Sequence, residues 1–187
     1  IEFIAENVEG FFDKVDAMMI TSRRGSVHYE YAMPFIKAGI PLFIDKPFTS
    51  DVEQAKEIVR IAKETGSVIT GGSGCKYAQD VLDLKYKVDN LKDDKSFISA
   101  SINFAADIDS IYDGFYFYAS HLVEMATTIF GNDIIDVYAT HRGNCVIATL
   151  GYKDYSISLH FTNGLSKGTC TIYTKNGISH NSIDISD

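Results

Sequence analysis

The sequence predicts an α/β region followed by an α+β region, and three observations lead to that prediction. Short apolar runs over residues 15–21, 41–44 and 67–70 lie about 25 residues apart, with helical patterns between them. This rhythm is typical of right-handed βαβ crossovers in a parallel sheet. After about residue 95, strand-like segments follow one another through tight turns. That change predicts a mostly antiparallel open sheet, crossed by one helix.

Composition and charge place the chain among ordinary globular proteins. It has 187 residues, of which 45% are hydrophobic and 22% charged, and its formal net charge is -8. The negative charge and the lack of a Lys/Arg run disfavour nucleic acid or an anionic membrane as partner. No apolar stretch approaches the ~20 residues that a membrane helix needs. The three cysteines have no metal-ligand spacing, so we expect reduced thiols, no metal site and a cytoplasmic location.

Two helices are predicted between the strands of the first region. One would begin at Ser26 as its N-cap and end at Gly39, with Pro34 kinking or shortening it. The other would begin at Ser50, because Ser50-Asp51-Val52-Glu53 has capping-box spacing, and would end at Gly66. Its apolar face would be formed by five residues at helical spacing, namely Val52, Ala55, Ile58, Val59 and Ala62.

The second region contains two further predicted helices, over residues 78–90 and 116–130, and Gly131 would close the second of them. Residues 95–105 alternate as a strand does. Residues 155–161 alternate as well, which predicts one buried face and one wet face. Hairpin turns are expected at Gly143-Asn144, Lys153-Asp154 and Asn176-Gly177.

The stretch Asp45-Lys46-Pro47 ends the second predicted strand and is the first place where we expect chemistry. Open α/β sheets bind their ligands at the carboxyl ends of their strands. A lysine ammonium at such a place can hold and polarise a substrate hydroxyl. The alternatives are a surface lysine that follows a strand and a capping or solvated acid.

Six pieces occur in one order along residues 15–131: a strand over 16–21, His28 leading a helix to Ala38-Gly39, Phe43-Ile44-Asp45-Lys46-Pro47, the helix from Ser50 to Gly66, a strand over 68–72, and Ser120-His121-Leu122-Val123-Glu124. In this order they resemble the Gfo/Idh/MocA family of NAD(P)-dependent oxidoreductases, which act mostly on sugars and cyclitols. Asp45-Lys46-Pro47 looks like the Glu-Lys-Pro signature of that family.

The resemblance implies the C-terminal part of a Rossmann-type parallel sheet. Residues 1–75 would form a partial dinucleotide-binding domain for NAD or NADP, and residues 76–187 an α+β domain for substrate binding and oligomerisation. The Gly-x-Gly-x-x-Gly fingerprint of such domains is not in the sequence, and we expect that part of the fold to precede Ile1.

The resemblance also implies roles at the cofactor side. Lys46 would contact both the nicotinamide region and the substrate hydroxyl, and Asp45 would accept a hydrogen bond from the nicotinamide ribose. Pro47 would fix the loop, and a cis bond is one option there because cis bonds are largely confined to X-Pro. Three further cofactor-side candidates are Thr21, Ser22 and His28.

Substrate-side candidates lie in the second region. His121 is the candidate general base, because imidazole titrates in the working pH range; the alternative is a satisfied core histidine. Lys76 falls where family members often carry an arginine that lines the substrate pocket. Tyr116 and Tyr118 are hypothesised to include a residue lining that pocket. The remaining histidines are interpreted as structural: His141, His160 and His180.

The chain departs from the family pattern just before His121. Phe117 stands where an acid is usual, Ala119 replaces a glycine, and Glu124 replaces an aspartate. Tyr112 and Asp113, like the two tyrosines above, are nearby polar groups that could take the place of that acid.

Two functions from different classes follow. The leading hypothesis is an oxidoreductase that passes a hydride between NAD(P) and a sugar-like or cyclitol alcohol. The alternative, which Phe117 keeps open, is a catalytically weakened family member that acts as a nucleotide- or sugar-binding sensor or scaffold. The expected partners are a small polyol or sugar and further copies of the chain, in a dimer or tetramer formed through the C-terminal sheet.

Overall fold

The computed structural model describes residues 3–165 and 167–185. The chain divides into two compact units. The first runs to Gly72 and takes in Ile111–Phe117, and the second comprises Ser73–Ser110 and continues from Tyr118. The assignment of residues 1–75 and 76–187 to cofactor and substrate binding stays a prediction.

The first unit is built on three parallel strands in the order β1 (Met18–Ile20), β2 (Leu42–Asp45) and β3 (Ile69–Gly72). The predicted parallel sheet is therefore confirmed. β1 is shorter than predicted, and β3 begins two residues later than predicted. Ser67 lies before the strand, and its hydroxyl donates to the carbonyl of Ile40 at 2.7 Å.

Two helices cover this sheet, α1 (His28–Lys37) and α2 (Val52–Thr65). The predicted N-caps are wrong. Ser26 lies in a short 3-10 turn before α1 and makes no cap. Asp51 rather than Ser50 caps α2, because its carboxylate accepts from the backbone N–H of Gln54 at 2.9 Å. Gly66 ends α2 in the left-handed conformation, with a φ of 74°, which confirms that prediction.

The buried face of α2 is narrower than the sequence predicted. Ile58 and Ala62 are buried, whereas Val52 and Val59 are 66% and 44% exposed. Each residue turns about 100° around a helix, so Val59 leaves the face that Ile58 and Ala62 share. The core of the first unit is formed by Ile20, Ala32, Met33, Phe35, Ile36, Leu42, Ile44, Ile58 and Ala62.

The second unit is built on a six-stranded sheet in the order β5-β6-β7-β4-β8-β9. Only β4 and β7 pair in parallel among these described strands, and the other pairs are antiparallel. The strands are β4 (Phe97–Ala105), β5 (Asp136–Arg142), β6 (Cys145–Gly151), β7 (Ser156–Thr162), β8 (Gly168–Thr174) and β9 (Gly177–Ile183). The mostly antiparallel sheet and its three hairpins are thus confirmed, but the last hairpin turns at Lys175-Asn176, one residue before the predicted pair, and Gly177 already pairs with Thr174.

Two helices accompany this sheet, α3 (Gln79–Asp93) and α4 (Tyr116–Phe130). The bounds of α4 match the prediction, and Gly131 follows it with a φ of 99°. On β7 the alternate residues Ile157, Leu159 and Phe161 are buried, as their period-2 pattern predicted. Within the described residues, no helix is long and apolar enough to cross a bilayer.

Candidate functional site

The carboxyl ends of the parallel strands bring polar residues together in the first unit. Asp45 is the last residue of β2 and pairs with Gly72 of β3, while Ile20 at the end of β1 pairs with Ile44. Thr21, the first residue after β1, therefore lies beside Asp45, the last residue of β2. Asp45 is half-buried, and Thr21 is exposed. The carboxyl end of this sheet therefore carries the Asp45 carboxylate and the Thr21 hydroxyl, next to the apolar core.

Lys46 and Pro47 follow directly, and the peptide bond between them is cis. Pro47 is buried, and Gly25 lies against its ring, since a Cβ at Gly25 would be 2.4 Å from Pro47 Cγ. A side chain at position 25 would therefore displace the signature loop.

His28 joins this loop to the end of β1. Its Nδ1 lies 2.8 Å from the carbonyl oxygen of Pro47, and its Nε2 lies 2.8 Å from that of Ser22. The side chain has no exposed surface. His28 thus holds the backbone of two strand-end loops, and its geometry indicates a positioning role rather than the predicted cofactor contact.

Lys46 contacts the residue at which the chain departs from the family pattern. Its Nζ lies 4.2 Å from the centre of the Phe117 ring and 3.4 Å from the Phe117 carbonyl oxygen. The first distance is that of a cation–π contact. An aromatic face therefore lies beside the lysine ammonium where the family pattern has an acid.

The segment Ile111–Phe117 is anchored to the first unit by Asp113. The Asp113 carboxylate accepts from the backbone N–H and from the hydroxyl of Ser26, each at 2.9 Å. Arg24 approaches the same carboxylate at 3.9 Å, and Arg23 lies over the Tyr112 ring. Asp113 is thus engaged as the anchor of this segment, which argues against its taking the place of the missing acid.

In the second unit, a hydroxyl orients His121. His121 Nδ1 lies 2.6 Å from Ser73 Oγ and 3.3 Å from Cys75 Sγ. Ser73 is fully buried, and the Tyr118 ring packs edge-on against the imidazole at 4.9 Å. Ser73 was not singled out in the sequence. Its only signal is its place in Gly71-Gly72-Ser73-Gly74, directly after β3.

Glu124 completes this group, one helical turn after His121. One carboxylate oxygen accepts from the backbone N–H of Ser73 at 2.8 Å, and the other from Lys76 Nζ at 2.8 Å. Lys76 is therefore held in an ion pair, and any contact with a substrate would share its ammonium with Glu124. Tyr116, the other tyrosine proposed to line the substrate pocket, is 54% exposed.

The other histidines lie on strands of the second sheet, as their structural interpretation requires. Their ring nitrogens bond to nearby groups: His141 to the carbonyl of Gly143, His160 to Ser158 and His180 to Thr171. Among residues 3–165 and 167–185, no group of three or more metal-ligating side chains could hold a metal ion.

Comparison with known proteins finds a family similarity for the first part of the chain. The family model described as "Oxidoreductase family, NAD-binding Rossmann fold", of the Gfo/Idh/MocA type, matches residues 2–73. The uncharacterized oxidoreductase YhhX of Escherichia coli K12 is 31% identical over 70 residues, which are 37% of this chain and 20% of that protein.

Two solved structures share the fold over most of the chain. A probable dehydrogenase from Thermotoga maritima has a TM-score of 0.79 at 15% identity and covers 95% of this chain. A putative myo-inositol dehydrogenase from Sinorhizobium meliloti 1021 has a TM-score of 0.77 at 15% identity and covers 92%. The matches cover 61% and 60% of those two proteins, so the chain spans about three fifths of their length. Residues 2–73 are thus similar to the NAD-binding Rossmann fold of the Gfo/Idh/MocA oxidoreductases.

Proposed function

We propose that this chain is part of an NAD(P)-dependent oxidoreductase that transfers a hydride between the nicotinamide and a CH–OH carbon of a sugar-like or cyclitol alcohol. The observation that carries the proposal is Asp45-Lys46-Pro47, which stands at the carboxyl end of β2 within the residues that match the NAD-binding family model. The similarity to a putative myo-inositol dehydrogenase from Sinorhizobium meliloti 1021 supports a polyol as the substrate class.

The residues at the sheet edge fit the nicotinamide end of the cofactor. The half-buried Asp45 carboxylate can accept a hydrogen bond from a ribose hydroxyl, and Thr21 and Ser22 supply donors and acceptors beside it. Parallel α/β sheets bind dinucleotides at the carboxyl ends of their strands. When bound, the nicotinamide supplies or accepts the hydride.

Lys46 would act on the substrate oxygen. In the oxidation direction its ammonium would stabilise the negative charge that develops as the hydroxyl loses its proton, and in reduction it would polarise the carbonyl. The Phe117 carbonyl and ring hold this ammonium on one side.

His121 would take up or return the hydroxyl proton. Neutral imidazole can accept a proton at one nitrogen while the other is fixed by a hydrogen bond. Ser73 Oγ fixes Nδ1 at 2.6 Å. The Glu124 carboxylate in turn holds the Ser73 backbone at 2.8 Å, so the orientation of the ring depends on both residues.

One observation favours the alternative of a sensor or scaffold with weakened activity. The Lys46 ammonium faces an aromatic ring at 4.2 Å, in the place where family members have an acid. A ring cannot accept a proton. If proton transfer needs that acid, the protein would bind a nucleotide or sugar without turning it over.

The test is to titrate NADH and NADPH into the full-length protein and then to screen polyols and sugars for turnover. We expect one or both nucleotides to bind. Lys46→Met should lower kcat by about 10²–10³, the typical loss for one charge-stabilising donor, while nucleotide binding changes by less than about tenfold. Lys56→Met is the matched control, because Lys56 pairs with Glu53 on an exposed helix face and should leave kcat unchanged.

The outcomes separate the two functions. Binding of neither nucleotide would rule out the oxidoreductase. Binding without turnover of any polyol, with the same affinity in Lys46→Met, would favour the sensor.

We also propose that copies of the chain associate through the second sheet. Its edge strand β5 is exposed along its whole length, and Val137 and Tyr138 on it are 60% and 70% exposed. Exposed edge strands readily pair with a second chain. Analytical ultracentrifugation should show a dimer or tetramer, and a monomer at micromolar concentration would contradict the proposal.

A further inference from the structure

Cys75 lies beside the imidazole of His121 within the second unit. Its Sγ is 3.3 Å from His121 Nδ1, within hydrogen-bonding distance for sulfur. The residue as a whole is half-buried. The turn that contains it is held in place, because the Cys75 backbone N–H donates to Ser73 Oγ at 3.1 Å.

A thiol in contact with an imidazole has the arrangement of an activated nucleophile. The imidazole can take the thiol proton as the sulfur attacks an electrophile. Ser73 Oγ shares the same nitrogen at 2.6 Å. Nδ1 has one lone pair, so it can take the thiol proton only when the Ser73 hydroxyl hydrogen is turned away, and Ser73 Oγ can then accept from Nδ1–H.

The other two cysteines provide a contrast within the same chain. Cys145 is half-buried like Cys75, but its Sγ contacts the Val146 carbonyl at 3.7 Å and Thr162 Oγ1 at 3.8 Å. Neither group is a base. Cys170 is fully buried, and burial raises the pKa of its thiol to about 12. Cys145 is therefore a matched control for exposure, and Cys170 a control for an inert thiol.

We propose that Cys75 is a site of reversible thiol modification, at which His121 acts as the base and a low-molecular-weight disulfide such as oxidised glutathione is the co-reactant. The proton moves from Cys75 Sγ to His121 Nδ1 as the sulfur attacks one sulfur of the disulfide. A new S–S bond forms to Cys75, the S–S bond of the reagent breaks, and the released thiolate takes up the proton. Cys75 is oxidised and the reagent is reduced to one thiol.

The modification would act on His121, the group proposed for proton transfer. A glutathionyl group on Cys75 would stand against His121 and separate its ring from Ser73. The effect on turnover rests on the proposed function, whereas the reactivity of the thiol does not. The two can therefore be tested separately.

The first experiment measures labelling rates of the three cysteines by mass spectrometry, with iodoacetamide and then with oxidised glutathione. Cys75 should react at least about tenfold faster than Cys145, and Cys170 should not react in the folded protein. His121→Gln should bring Cys75 to within about threefold of Cys145. Ser73→Ala keeps the imidazole but removes the hydroxyl that orients it and holds the Cys75 turn, so it should slow Cys75 while leaving it ahead of Cys145. Circular dichroism of both variants guards against a folding failure.

The second experiment uses any turnover that the nucleotide and polyol screen finds. Oxidised glutathione should abolish it, dithiothreitol should restore it, and Cys75→Ser should resist the treatment. Equal labelling of Cys75 and Cys145, or a Cys75 rate that His121→Gln does not change, would overturn the proposal. A protein that labels selectively at Cys75 but turns nothing over would contradict only the proposed function.

Discussion

Phe117 is the residue at which the site differs most from the pattern that the sequence resembles. The Lys46 ammonium lies 4.2 Å above its ring, and Tyr112 packs on that ring at a centroid distance of 5.1 Å. A cation–π contact contributes about 0.5–2 kcal/mol, more when it is shielded from water. The Phe117 ring therefore attracts the Lys46 ammonium more weakly than a carboxylate would, and it leaves the positive charge of the lysine unneutralised.

A double-mutant cycle measures this contact. Phe117→Leu removes the aromatic face but keeps the carbonyl oxygen that Lys46 also contacts, and Lys46→Met removes the charge. We expect a coupling free energy of unfolding of about 0.5–2 kcal/mol between the two changes, measured by urea denaturation followed by circular dichroism. Strictly additive effects would show that the ring does not hold the ammonium.

Site residues that are adjacent in the sequence could be predicted, whereas contacts between residues far apart in the sequence could not. Asp45, Lys46 and Pro47 could be located because a short strand and its signature lie together in the chain. The contacts of Lys46 with Phe117 and of His121 with Ser73 join residues 71 and 48 positions apart. No periodicity links such residues, so the partner that orients His121 emerged only from the fold.

At the scale of elements, Gly71 fixes how closely β3 approaches β2. Its φ is +143°, and a Cβ there would be 1.9 Å from the carbonyl oxygen of Ile44. Both the conformation and the space exclude a side chain. The pairing of β2 with β3, and so the position of Asp45 at the sheet edge, depends on this glycine.

A pair of alanine substitutions tests that requirement. Gly71→Ala should lower the free energy of unfolding by more than about 3 kcal/mol, because backbone atoms must move and the residue is strained. Gly74→Ala is the control, since no atom lies within 4 Å of a Cβ there and its φ lies outside the left-handed region. It should change stability by at most about 1 kcal/mol, in the stabilising direction. Thermal melts followed by circular dichroism measure both, and equal melting temperatures would contradict the argument.

Elements with strong local signals could be predicted from the sequence. α4 begins and ends as predicted because its apolar pattern stops at a glycine, and the hairpins follow from their turn residues. The ends of shorter elements could not. Ser50 and Asp51 are both good N-caps, and only the hydrogen bond from Gln54 to Asp51 decides between them.

At the scale of the whole molecule, the pH range of stability depends on groups gathered at the C-terminal end of α4. Tyr152 donates to the Gly131 carbonyl at 2.9 Å, and Tyr155 donates to that of Phe130 at 3.0 Å. The two rings stack at 4.6 Å. Burial raises the pKa of Tyr152 to about 12 and raises that of Tyr155 as well. Lys92 also donates to Phe130, and burial lowers its pKa.

These shifts act in opposite directions above neutral pH. A tyrosine whose folded pKa is raised contributes its full stability below pH 10 and loses it as the pH rises towards 12, because the unfolded chain ionises first. Lys92 has a lowered pKa, so the folded protein releases that proton earlier and regains some stability as the pH rises. A comparison of wild type with Tyr152→Phe isolates the Tyr152 contribution, because Lys92 and Tyr155 remain in both proteins.

We expect Tyr152→Phe to be less stable than wild type by about 1 kcal/mol at pH 7, since it loses the hydrogen bond to the Gly131 carbonyl. Between pH 7 and 11 the wild type should lose about 1.4 kcal/mol that the variant keeps, because pH 11 is one unit above the unfolded pKa and one unit corresponds to 1.36 kcal/mol. The order of stability should therefore reverse near pH 11. Urea unfolding followed by circular dichroism at pH 7, 9, 10 and 11 measures the difference, and a constant gap across this range would show that Tyr152 does not titrate differently in the folded and unfolded states.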